Sequence, residues 1–566
     1  MAEASEKPED RKRLSGEEGI SPTDDSYYDL PPSKEFEPIA GSGDATLSRP
    51  NTLGRNKTGA STRSSISRAR THNGYGCDDN EEDSGHDVEG GVPEKDPYDV
   101  VWEGGDMDPL NPRSMTLARK WLVVLIVSAS SLCVTCTSSI YTSTYGQITK
   151  EFDCSRIVAT LGLSLFIMGL GVGPMLLGPL SEFYGRRPIY WVSFSMFLIW
   201  LIPSAVAKNI QTMLIARFLD GLSGSAFLSV AGGTVGDMFN REQLQLPMLI
   251  YTASPFVGPS LGPLIGGFIN QYTDWRWTFY VLLIWSGANL GMIMLFVPET
   301  YHPILLRNKA RQLRQETGDE RWKSSMDRNT KSIPKTIGLS LQRPFQLLFL
   351  EPMVSNLCLF SAILLGILYL FFGAFPLVFM GNHGFSLSQT GMSFLGIFAG
   401  MVLGAATDPI WHRNYARLIR QREERTGEIG GSEPEYRLPP SICGAILVPI
   451  GLFMFAWTTY SSVHWIVPII GSTIFGMGTL LVFSGIFTFL VDAYPLYAAS
   501  SLAANSFARS SFGAAFPLFG VQMYHTLGDQ WATSLLAFLT VAMAPFPYLF
   551  FVYGKRIRGT SRFATA

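Results

Sequence analysis

Charge is scarce in this 566-residue sequence: 16% of its residues are Asp, Glu, Lys or Arg, against 47% that are hydrophobic. The net charge is only -2, and no basic tract interleaved with aromatics offers a nucleic-acid surface. Cysteine is rare as well. Of the six (Cys77, Cys133, Cys136, Cys154, Cys358 and Cys443), most fall in apolar runs or in a polar tail. Cys133 and Cys136 form a CxxC inside an apolar run with no second pair, so packing thiols are expected, with neither a disulfide framework nor a metal site. The seven histidines are scattered, with no pair at metal-binding spacing. No Gly-x4-Gly-Lys-Ser/Thr phosphate loop occurs, which argues against direct ATP drive. No early apolar stretch suggests a cleaved signal peptide, so the first spanning helix must direct insertion. These absences count against an enzyme, and no cofactor or metal is expected.

What the chain does have is apolar length. After Lys120, runs long enough to cross the roughly 30 Å hydrocarbon layer recur twelve times, at 121–144, 157–178, 189–207, 211–234, 246–269, 277–297, 353–377, 390–409, 441–460, 464–490, 500–523 and 531–553. These are numbered spans 1 to 12. Residues 1–115 are rich in Ser, Thr, Gly, Pro and charge, with an acidic patch around Asp78 to Asp87, and are expected to be a disordered cytoplasmic tail. That tail carries the sequon Asn56-Lys-Thr58 and two basic-serine stretches, Arg11 to Ser15 and Ser64 to Arg70. The remaining divisions are a six-helix half at 116–298, a cytoplasmic central loop at 299–350, a second half at 351–554 and a short cytoplasmic tail at 555–566. The central loop holds ten bases from Arg307 to Arg343 and the loop at 410–440 holds six, whereas the opposite loops hold only Lys150, Arg156, Lys208 and Arg276. That bias sets both termini in the cytoplasm.

The sharpest motif is Gly178-Pro-Leu-Ser-Glu-Phe-Tyr-Gly-Arg-Arg-Pro188, a charged hinge between spans 2 and 3. Its candidate gate residues are Gly178, Glu182, Gly185, Arg186 and Arg187, which cannot sit in lipid. The order Gly-x3-Glu-x4-Arg returns as Gly404, Asp408 and Arg413 at the end of span 8, as a chain of two repeated halves would place it. The hinge resembles the loop between helices 2 and 3 of the major facilitator superfamily, although Glu182 stands where that family has Asp and Phe183 departs from its pattern. The resemblance implies an all-α membrane protein, with twelve transmembrane helices in two pseudo-symmetric six-helix halves.

Charge inside the spans demands an explanation, since each such residue costs about 2.5–3.5 kcal/mol on insertion scales. Arg217 and Asp220 lie three residues apart on one face of span 4. They form either a self-neutralising pair or a proton relay. Arg217 aligns with the arginine that the family links to proton transfer, whereas Asp220 lies outside the family pattern. Arg509 in span 11 is expected to pair with Glu182 across the halves. In span 5 the run Gly258-Pro259-Ser-Leu-Gly262-Pro263-Leu-Ile-Gly266-Gly267 makes a smooth, kinked groove for another helix. It resembles the motif that marks the superfamily's proton-driven exporters. Pro298 to Arg314 reads as a basic amphipathic segment on the inner leaflet. It resembles the segment after helix 6 in fungal drug:proton antiporters with twelve spans, and Val101 to Pro112 resembles the segment before their helix 1. Tyr369, Phe372, Phe483 and Phe487 are candidate stacking surfaces for flat cargo. The resemblance implies a monomeric plasma-membrane carrier of small molecules and protons, exporting hydrophobic or weakly cationic drugs, fungicides or toxic metabolites. The alternatives are an importer of a nutrient or polyamine, against which span 5 argues, and a transporter-like sensor.

Overall fold

In lipid the backbone finds no outside partner, so an apolar run must close its hydrogen bonds internally, as a helix. The structure, a computed structural model, describes residues 98–240, 243–328, 333–427, 432–559, 561 and 563–564, all within one unit, Ser65–Ala566. The expectations for the tail before residue 98, its acidic patch, sequon and basic-serine stretches included, lie outside the described residues.

Every apolar run is helical. Span 1 is Leu117–Ile140, continued through a 3-10 turn, Tyr141–Thr144, into Tyr145–Glu151; spans 2 and 3 are Arg156–Tyr184 and Arg186–Ala205. Span 4 is broken into Ile210–Gly224, Ala226–Ser229 and Ala231–Met238, and spans 5 and 6 are Gln245–Tyr272 and Arg276–Phe296. Span 7 is Pro352–Phe375 with a π-helical end, Pro376–Asn382, and span 8 is Leu387–Ser393 with Leu395–Ala406. Spans 9 and 10 are Pro439–Trp457 and Ile466–Ala493.

The last run, Pro495–Arg558, has 64 residues. Straight, it would reach about 96 Å at 1.5 Å per residue, three times the hydrocarbon thickness. It turns back at Gly528, whose φ of 79° and ψ of 160° are not helical, so residues 498–527 form span 11 and 529–558 form span 12. The corner is pinned by Asn382 Nδ2 donating to Asp529 Oδ2 at 2.9 Å and by a 2.6 Å bond between the Tyr524 and Thr533 hydroxyls.

The two halves meet along two seams. Span 2 lies on span 11, where Ser164 Oγ donates to the Ala514 carbonyl at 2.6 Å and a Cβ on Gly171 would run into Ser510. Span 5 lies on span 8 near the opposite face. A Cβ on Gly267 would meet Leu387, Ser388 and Gly391, one on Gly391 would meet Pro263 and Leu264, and Ser388 N donates to Gln271 Oε1 at 2.8 Å.

Three stretches expected as loops or tail are structured. The central segment contains helices His302–Thr317, Ser325–Arg328 and Ile333–Leu350, and the loop after span 8 is largely the helix Asp408–Thr426. Their charge hid them from a search for apolar runs. The end of the tail is also ordered. Val100 N donates to the Lys323 carbonyl and Lys323 N to the Tyr98 carbonyl, both at 3.0 Å. Trp102 packs edge-on to His302, and Lys309 bridges Glu103 (3.1 Å) and Asp108 (3.2 Å). Burial alone would raise the Asp108 carboxyl, but the Leu110 N–H and the Lys309 ammonium outweigh it and hold it below the usual carboxylate value.

Candidate functional site: a one-sided cavity between the halves

A cavity of about 1150 Å³ opens between the halves, on the face where spans 2 and 3 are hinged. Gly178, Glu182 and Arg186 of one half and Gly404, Asp408, Arg437 and Asp492 of the other line its mouth, while Tyr251, Phe256, Phe487, Asn505 and Arg509 line it further in. The internal repeat therefore holds in place, because its glycine and its acid reach the cavity from both halves.

The repeat does not hold for its arginines. Arg186, not Arg187, makes the buried contacts: its Nε lies 3.4 Å from Asp237 Oδ2 and its Nη1 donates to Ser181 Oγ at 2.7 Å. Arg187 stands over the Trp191 ring at 4.5 Å. In the second half the pair matching Arg186–Asp237 is Arg437–Asp492 at 2.8 Å, so the equivalent base comes from the start of span 9 and not from Arg413. Gly185 has φ of +96°, a conformation that favours glycine, and a Cβ there would strike the Glu299 carboxylate. Glu299 accepts the backbone N–H groups of Arg186 (2.9 Å), Arg187 (3.1 Å), Thr300 and Tyr301 (both 3.0 Å). Asp237 and Glu299 were missed as site residues. The signal for Glu299 was its place in the segment after span 6; Asp237 has none in the sequence. A Cβ on Gly178 would meet nothing within 4 Å, because that glycine faces the open cavity.

The expected Glu182–Arg509 pair is not formed among the described residues. Arg509 instead lies among aromatic rings, with its guanidinium carbon 5.3, 5.5 and 5.2 Å from the centroids of Phe256, Phe483 and Phe487. Its Nε and Nη1 have no hydrogen-bond partner. Phe483 stacks against each of the other two rings and is fully buried. Of the four candidate stacking residues only Phe487 lines the cavity. Phe372 is buried against Tyr369 and Phe394, and Tyr369 is buried behind the wall. Helical pitch alone did not say which ring faces inward.

Behind the cavity wall, Arg217 and Asp220 do not form an ion pair. Arg217 Nη2 donates to the carbonyls of Thr137 (3.0 Å) and Ser138 (3.3 Å) in span 1, and its guanidinium is sandwiched by the Tyr141 and Phe166 rings at 4.8 and 4.3 Å. Asp220 is fully buried, and neither carboxylate oxygen has a hydrogen-bond partner. Sharing a helical face was not enough, because the carbonyls of the neighbouring helix compete for the guanidinium. Ser138 Oγ in turn bonds Tyr369 Oη at 2.9 Å, from one half to the other.

Span 5 divides its glycines between two jobs. A Cβ on Gly258 would strike Thr135, one on Gly262 would strike Ser139 and Ile140, and one on Gly266 would meet Ile140 and Ser143, so this stripe seats span 1. Pro259 and Pro263 lie within the same helix. Gly267 alone turns to span 8 and closes the face opposite the cavity mouth.

The sequence pattern of the Major Facilitator Superfamily matches residues 127–517. The chain is 56% identical over 462 residues to the efflux pump atB of Aspergillus terreus, covering 82% of this chain and 89% of that one. It is 43% identical over 473 residues to the probable drug/proton antiporter YHK8 of Saccharomyces cerevisiae, covering 83% and 91%. Among solved structures, the xylose transporter XylE from E. coli in a partially occluded inward open conformation matches with a TM-score of 0.54 at 18% identity, over 76% of this chain and 99% of that one, a likeness of fold. The chain is therefore a multi-pass membrane protein, and it belongs to the major facilitator superfamily.

Proposed function

We propose that the protein exports hydrophobic small molecules, drugs or toxic metabolites, in exchange for protons entering the cell. The observation that carries this reading is the one-sided cavity. It is open between the hinge motifs and shut opposite by the span 5–span 8 contact, with an arginine and an unpartnered carboxyl buried behind its wall. Its relatives bear the names of efflux pumps and drug/proton antiporters, which favours export over uptake. The mouth is taken as the cytoplasmic face, because Arg413, Arg417, Arg420 and Arg425 flank it on the helix after span 8. Both termini then lie in the cytoplasm of a plasma-membrane monomer embedded in lipid.

In this reading Asp220 carries the proton. A bare carboxylate without partners is very costly in a buried site, while the protonated acid costs far less. Loss of the proton would draw Arg217 from the span 1 carbonyls toward Asp220 and shift span 1, whose Ser138 bonds Tyr369 of the other half. One proton entering down 100 mV is worth about 2.3 kcal/mol, with about 1.4 kcal/mol more for each pH unit. That sustains a cargo gradient on the order of a hundredfold or more.

The test is the purified protein in liposomes. Cargo should accumulate against its gradient when a pH or voltage difference is imposed, and Arg217→Ala should abolish that accumulation while leaving cargo binding intact. Equal movement with no proton gradient, or unchanged coupling in the variant, would remove the reading.

A further inference from the structure

We infer that the inner end of the cavity is a site for flat aromatic acids, with Arg509 binding the acid group and Phe256 and Phe487 stacking on the ring. The inference rests on the cavity being the cargo site and narrows its cargo, away from the weakly cationic compounds expected from sequence.

Arg509 lines the cavity, its Nε and Nη1 are without hydrogen-bond partners, and no carboxylate among the described residues lies within the 4.0 Å of an ion pair. The cavity's acids, Glu182, Asp327, Asp408 and Asp492, belong to its mouth. One turn before Arg509, Asn505 Nδ2 donates to Ser361 Oγ at 2.8 Å, which leaves Asn505 Oδ1 without a partner on the same wall. Aromatic faces make a tolerable seat for a guanidinium but accept none of its N–H groups strongly. A planar fork of unused donors matches a carboxylate or an acidic enol better than any neutral group. The preference for an acid grows when the halves close. Water then leaves, the unpaired charge loses its solvation, and an acidic cargo neutralises the site where a cationic one would double its charge. Direction follows too: an anion leaving and a proton entering move charge the same way, so export of an acid has twice the voltage dependence of export of a neutral compound.

The experiment uses three probes with one ring system, 1-naphthoate, 1-naphthalenemethanol and 1-naphthylmethylammonium, binding to the purified full-length protein with no gradient present. The anion should bind at least about tenfold more tightly than the cation, the order expected of a charge-assisted pair. In Arg509→Gln the naphthoate affinity should fall about tenfold while the neutral alcohol binds within about twofold of wild type, and Arg509→Lys should recover part of the loss. A cation that binds as tightly as the acid, or an Arg509→Gln protein that binds naphthoate undiminished, overturns the inference. If the variants misfold, shown by loss of the neutral probe, the order of the three probes on the wild-type protein decides alone. Should that order stand while liposomes show no proton-driven movement of naphthoate, the efflux reading fails and the anion site survives.

Discussion

Ser138 of the first half and Tyr369 of the second share a hydrogen bond of 2.9 Å between their hydroxyl oxygens. The Ser138 carbonyl also receives Arg217 Nη2. One residue of span 1 therefore touches both the buried arginine of its own half and a tyrosine of the other.

Tyr369→Phe should separate those two events. The phenol ring stays packed, so the fold should lose only about 0.5–1.5 kcal/mol for one hydrogen bond. The cavity wall is unchanged, so cargo should bind normally. Proton-driven export should fall severalfold, read as the initial rate in liposomes at fixed pH difference. An unaltered rate would mean that the link is packing and nothing more.

Asp220→Asn keeps the shape of the side chain and removes its proton chemistry. Since neither carboxylate oxygen has a hydrogen-bond partner, the variant should be as heat-stable as wild type or more so, because a neutral amide is cheaper to bury than a carboxylate. Its export should lose dependence on the pH difference while exchange of cargo down its own gradient persists. A pH profile that overlays the wild-type one would show that the proton is carried elsewhere.

The two glycine faces of span 5 should respond differently to bulk. Gly262→Leu drives a side chain into Ser139 and the backbone at Ile140, within one half, and should cost about 1–3 kcal/mol or more of stability. Gly267→Leu wedges span 5 from span 8, between the halves. It should yield folded protein whose closed face admits a thiol reagent to a cysteine placed at Ser143, where wild-type protein carrying that cysteine excludes it. Equal loss of folding in both variants would argue against a mobile seam.

The segment before span 1 should let go in acid. The Asp108 carboxyl is held below its ordinary value, so it stabilises the docked segment above its unfolded pKa of about 3.9, and that contribution is lost as pH falls through the lower folded value. Lys309 has the opposite sign: burial opposes its charge, but Glu103 and Asp108 outweigh it and raise it, so its contribution fails only in strong alkali. Hydrogen-exchange protection of residues 98–114, relative to the intrinsic rate at each pH, should fall below about pH 4 in wild type, and Asp108→Asn should be less protected at neutral pH with little further loss in acid.

Much of the architecture was legible because the bilayer is a strict solvent. Twelve apolar runs and a charge bias fix the spans, and the Gly-x3-Glu and Gly-x3-Asp echoes place the two sides of one cavity mouth. The partners were not legible, for a physical reason in each case. Arg217 Nη2 goes to main-chain carbonyls, which every residue carries, while its Nε and Nη1 have no partner. Arg186 finds Asp237, 51 positions away, through a helix crossing that no local pattern encodes. Arg509 was assigned to Glu182 on charge, yet in this conformation aromatic faces surround it. Phe483 and Phe487 stand one turn apart on the same helix, and only Phe487 reaches the cavity. The helices at His302–Thr317 and Asp408–Thr426 were hidden by their own charge.

Arg186 holds Asp237 within the first half, Lys309 of the central segment holds Asp108 of the stretch before span 1, and Arg437 holds Asp492 and Arg558 of span 12 holds Glu435 at 2.7 Å in the second half. These clasps act inside each bundle, while the seam contacts described between the bundles are glycine, hydroxyl, amide and ring. Fragments divided between the helices Ser325–Arg328 and Ile333–Leu350 and produced side by side should therefore find one another in the membrane, the peptide link serving as a tether more than as a strut.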